Sequence, residues 1–260
     1  MYYTKLGEHT VNAVRLAEIL QVLVRHGFAD LLRRAGFYDG LPARLLRTLR
    51  LVEAPAGEPA TFGERLCDAL TELGPTYIKL GQVLSTRPDL VGSAVADALN
   101  QLQDQVEPVP FEEMAPVFES DLGKSISKLY DVFDENPIAS ASLSQVYRAR
   151  LHTGEEVAVK VQRPRTKQII ESDLRLMRQL AEWIAGRVEE ANWFDPVGIV
   201  EEFSRSVRRE LDFTIEARVI EQFRANFEGD TRVFIPGVFH ECSGARVLTM
   251  DWVDGVRIDR

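Results

Sequence analysis

"ASASLSQVYRARLHTGEEVAVKVQRP", residues 139–164, is the stretch that decides the fold. Hydrophobic and polar residues alternate along 143–151 and 156–162, which is the period of half-buried β-strands. The four residues between these runs include Gly154 and suit a hairpin loop. The first run follows a loop built from Ala and Ser, and the second carries Val-Ala-Val-Lys. The stretch therefore predicts an antiparallel hairpin with Lys160 on its second strand.

The sequence around the hairpin predicts helices, then three strands, then two helices, then two strands. Helices are predicted near 10–35, with Gly27 as a break, and at 62–73, 75–87, 89–104, 111–121, 166–190 and 195–228. A further strand is predicted within 129–139, and two more within 237–255, joined at Ser243–Gly244. The chain is thus predicted to be α+β. Its predicted parts are an N-terminal helical region, 1–56, a helical extension, 57–128, and a sheet-containing lobe, 129–260.

Composition narrows the function classes. The 260 residues carry a formal net charge of −9, which argues against a general nucleic-acid binder. Two cysteines and four histidines show no metal-ligand spacing, so no metal site is expected within this chain. No stretch reaches the roughly 18 apolar residues of a membrane span, and no signal peptide is recognised. A basic cluster at Arg44, Arg47 and Arg50 is compatible with contact to anionic lipid or with a solvated helix face.

The predicted order of elements is that of a protein-kinase N-lobe. In that lobe the lysine of a V-A-x-K strand contacts the α and β phosphates of ATP and pairs with a helix glutamate. Lys160 has this context. An alternating strand also often exposes a lysine to solvent, so the assignment depends on further motifs.

Four stretches resemble the UbiB/AarF atypical kinases of quinone biosynthesis. They are KLGQ (Lys79–Gln82), PIASASLSQVYRA (137–149), VAVKVQRP (157–164) and ELDFTIEA (210–217). Ordinary kinases lack the first two. The resemblance implies a protein-kinase-like N-lobe, an antiparallel sheet with long helices, preceded by a helical N-terminal extension, and ATP as cofactor.

By this resemblance the loop at 139–144 covers the nucleotide phosphates. Glycine would let such a loop adopt positive φ, whereas the Cβ atoms of Ala and Ser stiffen it. Backbone N–H groups and the serine hydroxyls remain able to face phosphate oxygens. Met250 is the implied gatekeeper, and the backbone of 251–253 is expected to bond adenine. The implied nucleotide-binding residues are Ala139, Ser140, Ala141, Ser142, Leu143, Ser144, Gln145, Val146, Ala158, Lys160, Met250, Asp251 and Val253.

The other implied site residues lie on helices. Lys79 and Gln82 are three apart on one helix face, where an exposed surface pair is the alternative. The resemblance implies that both side chains face the active site, where they would exclude peptide substrates and favour a small or lipid substrate. Glu210 and Asp212 form an E-x-D motif that faces Lys79 in the family. Glu216 is the expected partner of Lys160, with Glu210 as the alternative.

No kinase catalytic loop and no D-F-G sequence occurs in the 260 residues, so the C-lobe and most ligands of Mg²⁺ are expected beyond residue 260. The resemblance implies an ATP-dependent atypical kinase or ATPase supporting ubiquinone biosynthesis. Expected partners are a nucleotide, a lipid or isoprenoid quinone precursor, and quinone-biosynthesis proteins. The expected location is cytoplasmic, peripheral to the inner face of a bacterial-type membrane. The alternative functions are a nucleotide-responsive scaffold without catalysis and a helical interaction module.

Overall fold

The computed structural model describes residues 2–34, 60–102, 106–186 and 195–256. Within them the chain forms two compact units, each made of two chain segments. The first unit comprises 1–103 and 168–205, and the second comprises 104–167 and 206–260. The predicted boundary at 56/57 and the basic cluster at Arg44 to Arg50 lie outside the described residues.

The first unit is helical. Its helices are α1 (Tyr2–Arg25), α2 (Ala29–Arg34), α3 (Phe62–Leu73), α4 (Pro75–Ser85), α5 (Pro88–Val91), α6 (Ser93–Leu99), most of α9 (Thr166–Ala185) and the first part of α10 (Pro196–Glu210). The predicted break at Gly27 is confirmed, with a φ of +83°. The helix predicted over 89–104 is wrong as one element, because Gly92, at φ +82°, separates α5 from α6.

A buried polar network fixes the start of α4. The Arg15 guanidinium donates to Asp173 Oδ1 at 2.8 Å and to the Leu73 carbonyl at 2.7 Å. Thr76 Oγ1 donates to Asp173 Oδ2 at 2.7 Å. Asp173 is fully buried, and these bonds satisfy its charge. Burial lowers the pKa of Arg15, but the hydrogen bonds to Asp173 and Glu18 outweigh this effect and hold the pKa above its ordinary value.

The second unit contains a five-stranded antiparallel sheet. The strands are β1 (Tyr130–Phe133), β2 (Ala139–Ser140), β3 (Ser144–Leu151), β4 (Glu156–Gln162) and β5 (Val247–Asp251), in the order β1-β3-β4-β5 with β2 also on β3. Its helices are α7 (Phe111–Leu122), α8 (Ile126–Leu129), α11 (Phe213–Asn226) and the end of α10. The predicted α+β class and the hairpin of β3 and β4 are confirmed.

One face of the sheet forms the main core. Val157, Val159 and Val161 of β4 are fully buried there against Met114 and Phe118 of α7. Because α7 supplies this core, it belongs to the second unit, although the predicted domain boundary at 128/129 separates it from the sheet.

A chain of hydroxyls ties β1 to β5 inside this core. Thr249 Oγ1 donates to the Cys242 carbonyl at 2.7 Å, so the Tyr130 hydroxyl is the donor in its 2.8 Å bond to Thr249. Burial raises the pKa of Tyr130 well above its ordinary value, which keeps this hydroxyl neutral.

Two predicted elements of the second unit are wrong. The helix predicted over 195–228 is two helices, because Asp212 leaves the helical conformation and its side chain caps α11. Of the two strands predicted within 237–255 only β5 forms. Val238 makes a single bridge to Met250, and the chain then turns through a short 3-10 helix, His240–Cys242.

Candidate nucleotide site

Strand alternation sets the direction of Lys160. Since Val159 and Val161 point into the core, Lys160 between them points to the opposite face of the sheet. Its directly paired neighbours are Val146 on β3 and Leu248 on β5, which share this face. Lys160 is therefore at the centre of a sheet face flanked by two apolar side chains.

The helix α11 brings an acid to this lysine. Lys160 Nζ donates to Glu216 Oε2 at 2.7 Å and to Oε1 at 2.9 Å. The side chains of Lys160 and Glu216 are 25% and 38% exposed, so solvent still reaches the pair. The Nζ atom also lies 4.8 Å from the ring centroid of Phe213, which is a cation–π contact. Of the two acids that the sequence left open, Glu216 is the one that pairs with Lys160.

The break between α10 and α11 determines where Glu216 lies. Asp212 Oδ1 accepts from the Thr214 amide at 3.0 Å and from the Thr214 hydroxyl at 2.7 Å. Gln162 Nε2 donates to the Leu211 carbonyl at 3.1 Å, which ties the break to the end of β4. Glu216 follows in the first turn of α11, beside the strand that carries its partner.

The two acids of the E-x-D motif lie at the break between two helices. Glu210 ends α10 and Asp212 caps α11, so the two acids do not sit on one continuous helix. The Asp212 carboxylate accepts the capping bonds and is held at the N-terminus of α11. That these acids face Lys79 stays a prediction.

Several of the predicted nucleotide contacts share the face of Lys160, and others, Gln145 among them, lie on the opposite face. Ala158 is two residues from Lys160 on β4, and its partner on β5 is Met250. Met250 packs with Phe213 of α11 in a small apolar cluster. The side chain of Gln145 lies on the opposite face, where it bonds Tyr147. The reason is the same alternation, since Gln145 and Val146 are adjacent on β3.

The loop at residues 139–144, named here the lid loop, is tightly closed. The Ala141 amide donates to the Ser144 carbonyl at 2.8 Å. Ser142 and Ser144 are buried, and Ser140 Oγ accepts from the Arg163 guanidinium at 2.7 Å. In this conformation Ser142 and Ser144 are buried and the Ser140 hydroxyl is bonded to Arg163, so these serines do not line an open pocket.

The backbone of 251–253, which is predicted to bond adenine, is partly bonded within the protein itself. The Asp251 amide donates to the Gly237 carbonyl at 3.0 Å, and the Trp252 amide to the Glu156 carbonyl at 3.1 Å. Val253, the third predicted contact, is half exposed. Adenine recognition by this backbone stays a prediction.

The helix α4 carries the KLGQ motif within the first unit. The packing at Gly81 is close, since a Cβ there would clash with Leu102 Cδ1 and lie 2.8 Å from Leu70 Cδ1. Gln82 Nε2 lies 3.5 Å from the Leu102 carbonyl. The orientation of Lys79 and Gln82 toward a nucleotide stays a prediction.

Gly81→Ala should lower the free energy of unfolding by about 1–3 kcal/mol, because the added methyl overpacks this contact. Alanine also has a higher helix propensity than glycine, which offsets up to about 1 kcal/mol of the destabilisation caused by the clash. Thermal denaturation measures the effect, and Leu102→Ala in the same chain should recover part of it. Gly186→Ala, whose Cβ meets nothing closer than 3.6 Å, is the control. Equal stability of the two single variants would contradict the packing argument.

Three residues that matter to this geometry were missed in the sequence. They are Phe213 under Lys160, Gln162 at the helix break, and Arg163 at the lid loop. In VAVKVQRP, Gln162 is the last residue of the lysine strand and Arg163 directly follows it. Polar residues at the end of a buried strand were the available signal.

The described residues hold no group of three or more His, Cys, Asp or Glu side chains arranged to bind a metal ion. Among the helices of the same ranges, none combines the length and apolar character needed to cross a bilayer.

The sequence is similar to a family of kinase-like proteins. The ABC1 atypical kinase-like domain matches residues 101–260. Protein ACTIVITY OF BC1 COMPLEX KINASE 1, chloroplastic, of Arabidopsis thaliana is 44% identical over 194 residues, which cover 74% of this chain and 28% of that protein. Probable protein kinase UbiB of Pseudomonas putida is 39% identical over 249 residues, covering 94% of this chain and 45% of that protein. The chain thus spans less than half the length of both curated relatives.

A solved structure is also similar. The complex of Rv3197 with erythromycin from Mycobacterium tuberculosis aligns with a TM-score of 0.53 and 30% identity, covering 72% of this chain and 47% of that one. Together with the domain match, it confirms the kinase-like α+β fold that the sequence predicted.

Proposed function

The chain belongs to the ABC1 atypical kinase-like family, and from this premise we propose that it carries the nucleotide-binding lobe of an ATP-dependent kinase or ATPase that supports ubiquinone biosynthesis. The family description and the relatives named as kinases favour this role over a scaffold without catalysis.

The observation that carries the proposal is the pair of Lys160 and Glu216. An ammonium has three donors, and Glu216 occupies two of them in this structure. In a kinase lobe such a lysine contacts the α and β phosphates while the glutamate fixes its position. Val146, Ala158 and Met250 on the same sheet face would offer an apolar surface to the adenine ring.

ATP is the proposed ligand of this face, with Lys160 as its cationic contact. ATP would supply the transferable phosphoryl group, and Mg²⁺ would neutralise the phosphate oxygens. This chain's own contribution is to orient the triphosphate and to exclude water beneath the lid loop.

The proposed substrate side is a lipid or isoprenoid quinone precursor at the inner face of a membrane. Lys79 and Gln82 of α4 are proposed to occupy the place where a peptide substrate would dock. Quinone-biosynthesis proteins are the proposed partners, and the protein is proposed to bind the membrane peripherally from the cytoplasmic side.

The deciding experiment is calorimetric titration of the protein with ATP and with ADP, in the presence and absence of Mg²⁺, followed by a phosphate-release assay. Binding together with phosphate release supports the proposal. Binding without release in the complete protein would favour the scaffold. Absence of nucleotide binding would overturn both.

Ala141→Gly should change the affinity for ATP or ADP by about two- to fivefold, because a Cβ restricts the lid loop by about 0.5–1 kcal/mol. Titration of both nucleotides measures the change. Ala94→Gly, on an exposed position of α6, is the matched control. Unchanged binding of ATP and ADP by the Ala141 variant would contradict the role of the loop.

A further inference from the structure

A short segment, residues 106–109, lies along the lid loop and is named here the strap. The Val106 amide donates to the Ser140 carbonyl at 3.3 Å. At the other end, the Val109 amide donates to Gln145 Oε1 at 2.6 Å, and Gln145 Nε2 donates back to the Val109 carbonyl at 3.2 Å. Gln145 is fully buried, so its amide group holds the strap in a site without water competition.

Arg163 joins the strap to the lid loop. Its Nε atom donates to the Ala141 carbonyl at 2.8 Å, and its Nη2 atom donates to Ser140 Oγ at 2.7 Å. The same Nη2 atom lies 2.8 Å from the Glu107 carbonyl and 3.3 Å from the Val106 carbonyl. One guanidinium therefore bonds both segments at once.

The chemistry of the guanidinium suits this task. Arginine offers five donors in a rigid planar fork, whereas lysine offers a single point of charge on a flexible stem. The backbone amide of Arg163 donates to the Leu143 carbonyl at 2.9 Å, so both the backbone and the side chain of Arg163 bond the lid loop. The stiffness of the lid loop thus has a source outside its own Ala and Ser composition.

The bonds also restrict what the loop can offer to an anion. Phosphate is bound by backbone N–H groups that converge on it. In the closed loop the Ala141 amide is already bonded to Ser144, while Arg163 holds the Ala141 carbonyl. A loop that must present its amides to phosphate has to release these contacts first.

We propose that Arg163 and Gln145 are positioning residues that clamp the lid loop through the strap and thereby set the rates at which a nucleotide enters and leaves the site. This inference rests on the proposed nucleotide function for its kinetic consequence. The clamp itself is a property of the protein alone.

The test compares Arg163→Met with Arg150→Met, an exposed arginine on the same sheet that pairs with Asp131. Hydrogen exchange is measured first, without nucleotide. The amides of 139–144 should exchange at least about tenfold faster in the Arg163 variant, with the β4 amides unchanged. Arg163→Lys should restore little of the protection, because it lacks the fork. Ser140→Ala removes one bond at a half-exposed position and should give a smaller increase without risk to folding.

Stopped-flow kinetics with a fluorescent ADP analogue give the second readout. Both the association and dissociation rate constants should rise about tenfold in Arg163→Met, while Kd changes less than about threefold, since the clamp is released both before binding and before departure. A variant that was merely destabilised would lose affinity instead.

The outcomes separate the two proposals. Unchanged exchange at 139–144 overturns the clamp. Faster exchange with unchanged nucleotide rates overturns its gating role. If the unaltered protein binds no nucleotide, the proposed function and the gating role both fail, while hydrogen exchange still decides whether the clamp exists.

Discussion

Lys160→Met weakens the binding of ATP and ADP by about 10- to 150-fold in our expectation, because a hydrogen bond to a charged group contributes about 1.5–3 kcal/mol. Methionine keeps the length of the side chain and its apolar contacts, so the sheet should remain folded. The loss is expected because Lys160 supplies the ammonium that Glu216 holds at this sheet face. Titration calorimetry with each nucleotide measures the change.

The control for this prediction is Lys128→Met, which removes an exposed lysine near the end of α8 in the same unit. It should leave both affinities unchanged. Glu216→Gln is expected to weaken nucleotide binding less than Lys160→Met does. The glutamine amide can still accept a hydrogen bond that orients Lys160, but it no longer neutralises the lysine charge. Equal affinities for Lys160→Met and the unaltered protein would remove the lysine from the proposed site.

Asp173→Ala is expected to lower the free energy of unfolding by about 3–5 kcal/mol, because it leaves the Arg15 guanidinium without its buried partner. The Thr76 hydroxyl and the anchoring of α4 lose their acceptor at the same time. With about 2–4 °C per kcal/mol for a chain of this size, Tm should fall by about 6 °C or more.

The matched control is Glu182→Ala, which breaks an exposed pair with Arg178 on the same helix, α9. Exposed pairs contribute about 0–1 kcal/mol, so its Tm should hardly move. Adding Arg15→Met to Asp173→Ala should recover stability, because the unpaired charge is then gone. If the two single variants shift Tm equally, the buried network is not a source of stability.

The hairpin of β3 and β4 could be predicted because its period of two and its glycine turn are local signals. The break between α10 and α11 was missed, since the hydrophobic spacing continues across 195–228. The local signal was Asp212 followed by Thr214, the residue types of a helix N-terminus. The first of the two strands predicted within 237–255 failed for a different reason, because a bonded turn at His240–Cys242 follows directly on Val238.

Within the candidate site, the V-A-x-K motif and the family resemblance led to Lys160. Strand alternation would have separated Gln145 from Val146 had it been applied to both. The partner of the lysine could be narrowed to Glu216 or Glu210, and only the position of the helix break decides between them. For Arg163 the local signal, a polar residue after a buried strand, did not identify its partners. Its guanidinium bonds Ala141 and Glu107, 22 and 56 positions away in the chain, where a single sequence gives no pairing information.

The sheet of the second unit has a consequence for synthesis on the ribosome. Strand β4 ends at Gln162, and its neighbour β5 begins at Val247, about 85 residues later. At roughly 5–20 residues per second, β4 waits on the order of 4–17 seconds for that neighbour. During translation its valine-rich edge is open to pairing with other nascent chains. The unpaired edge is therefore a site of aggregation during synthesis, independent of the stability of the finished protein.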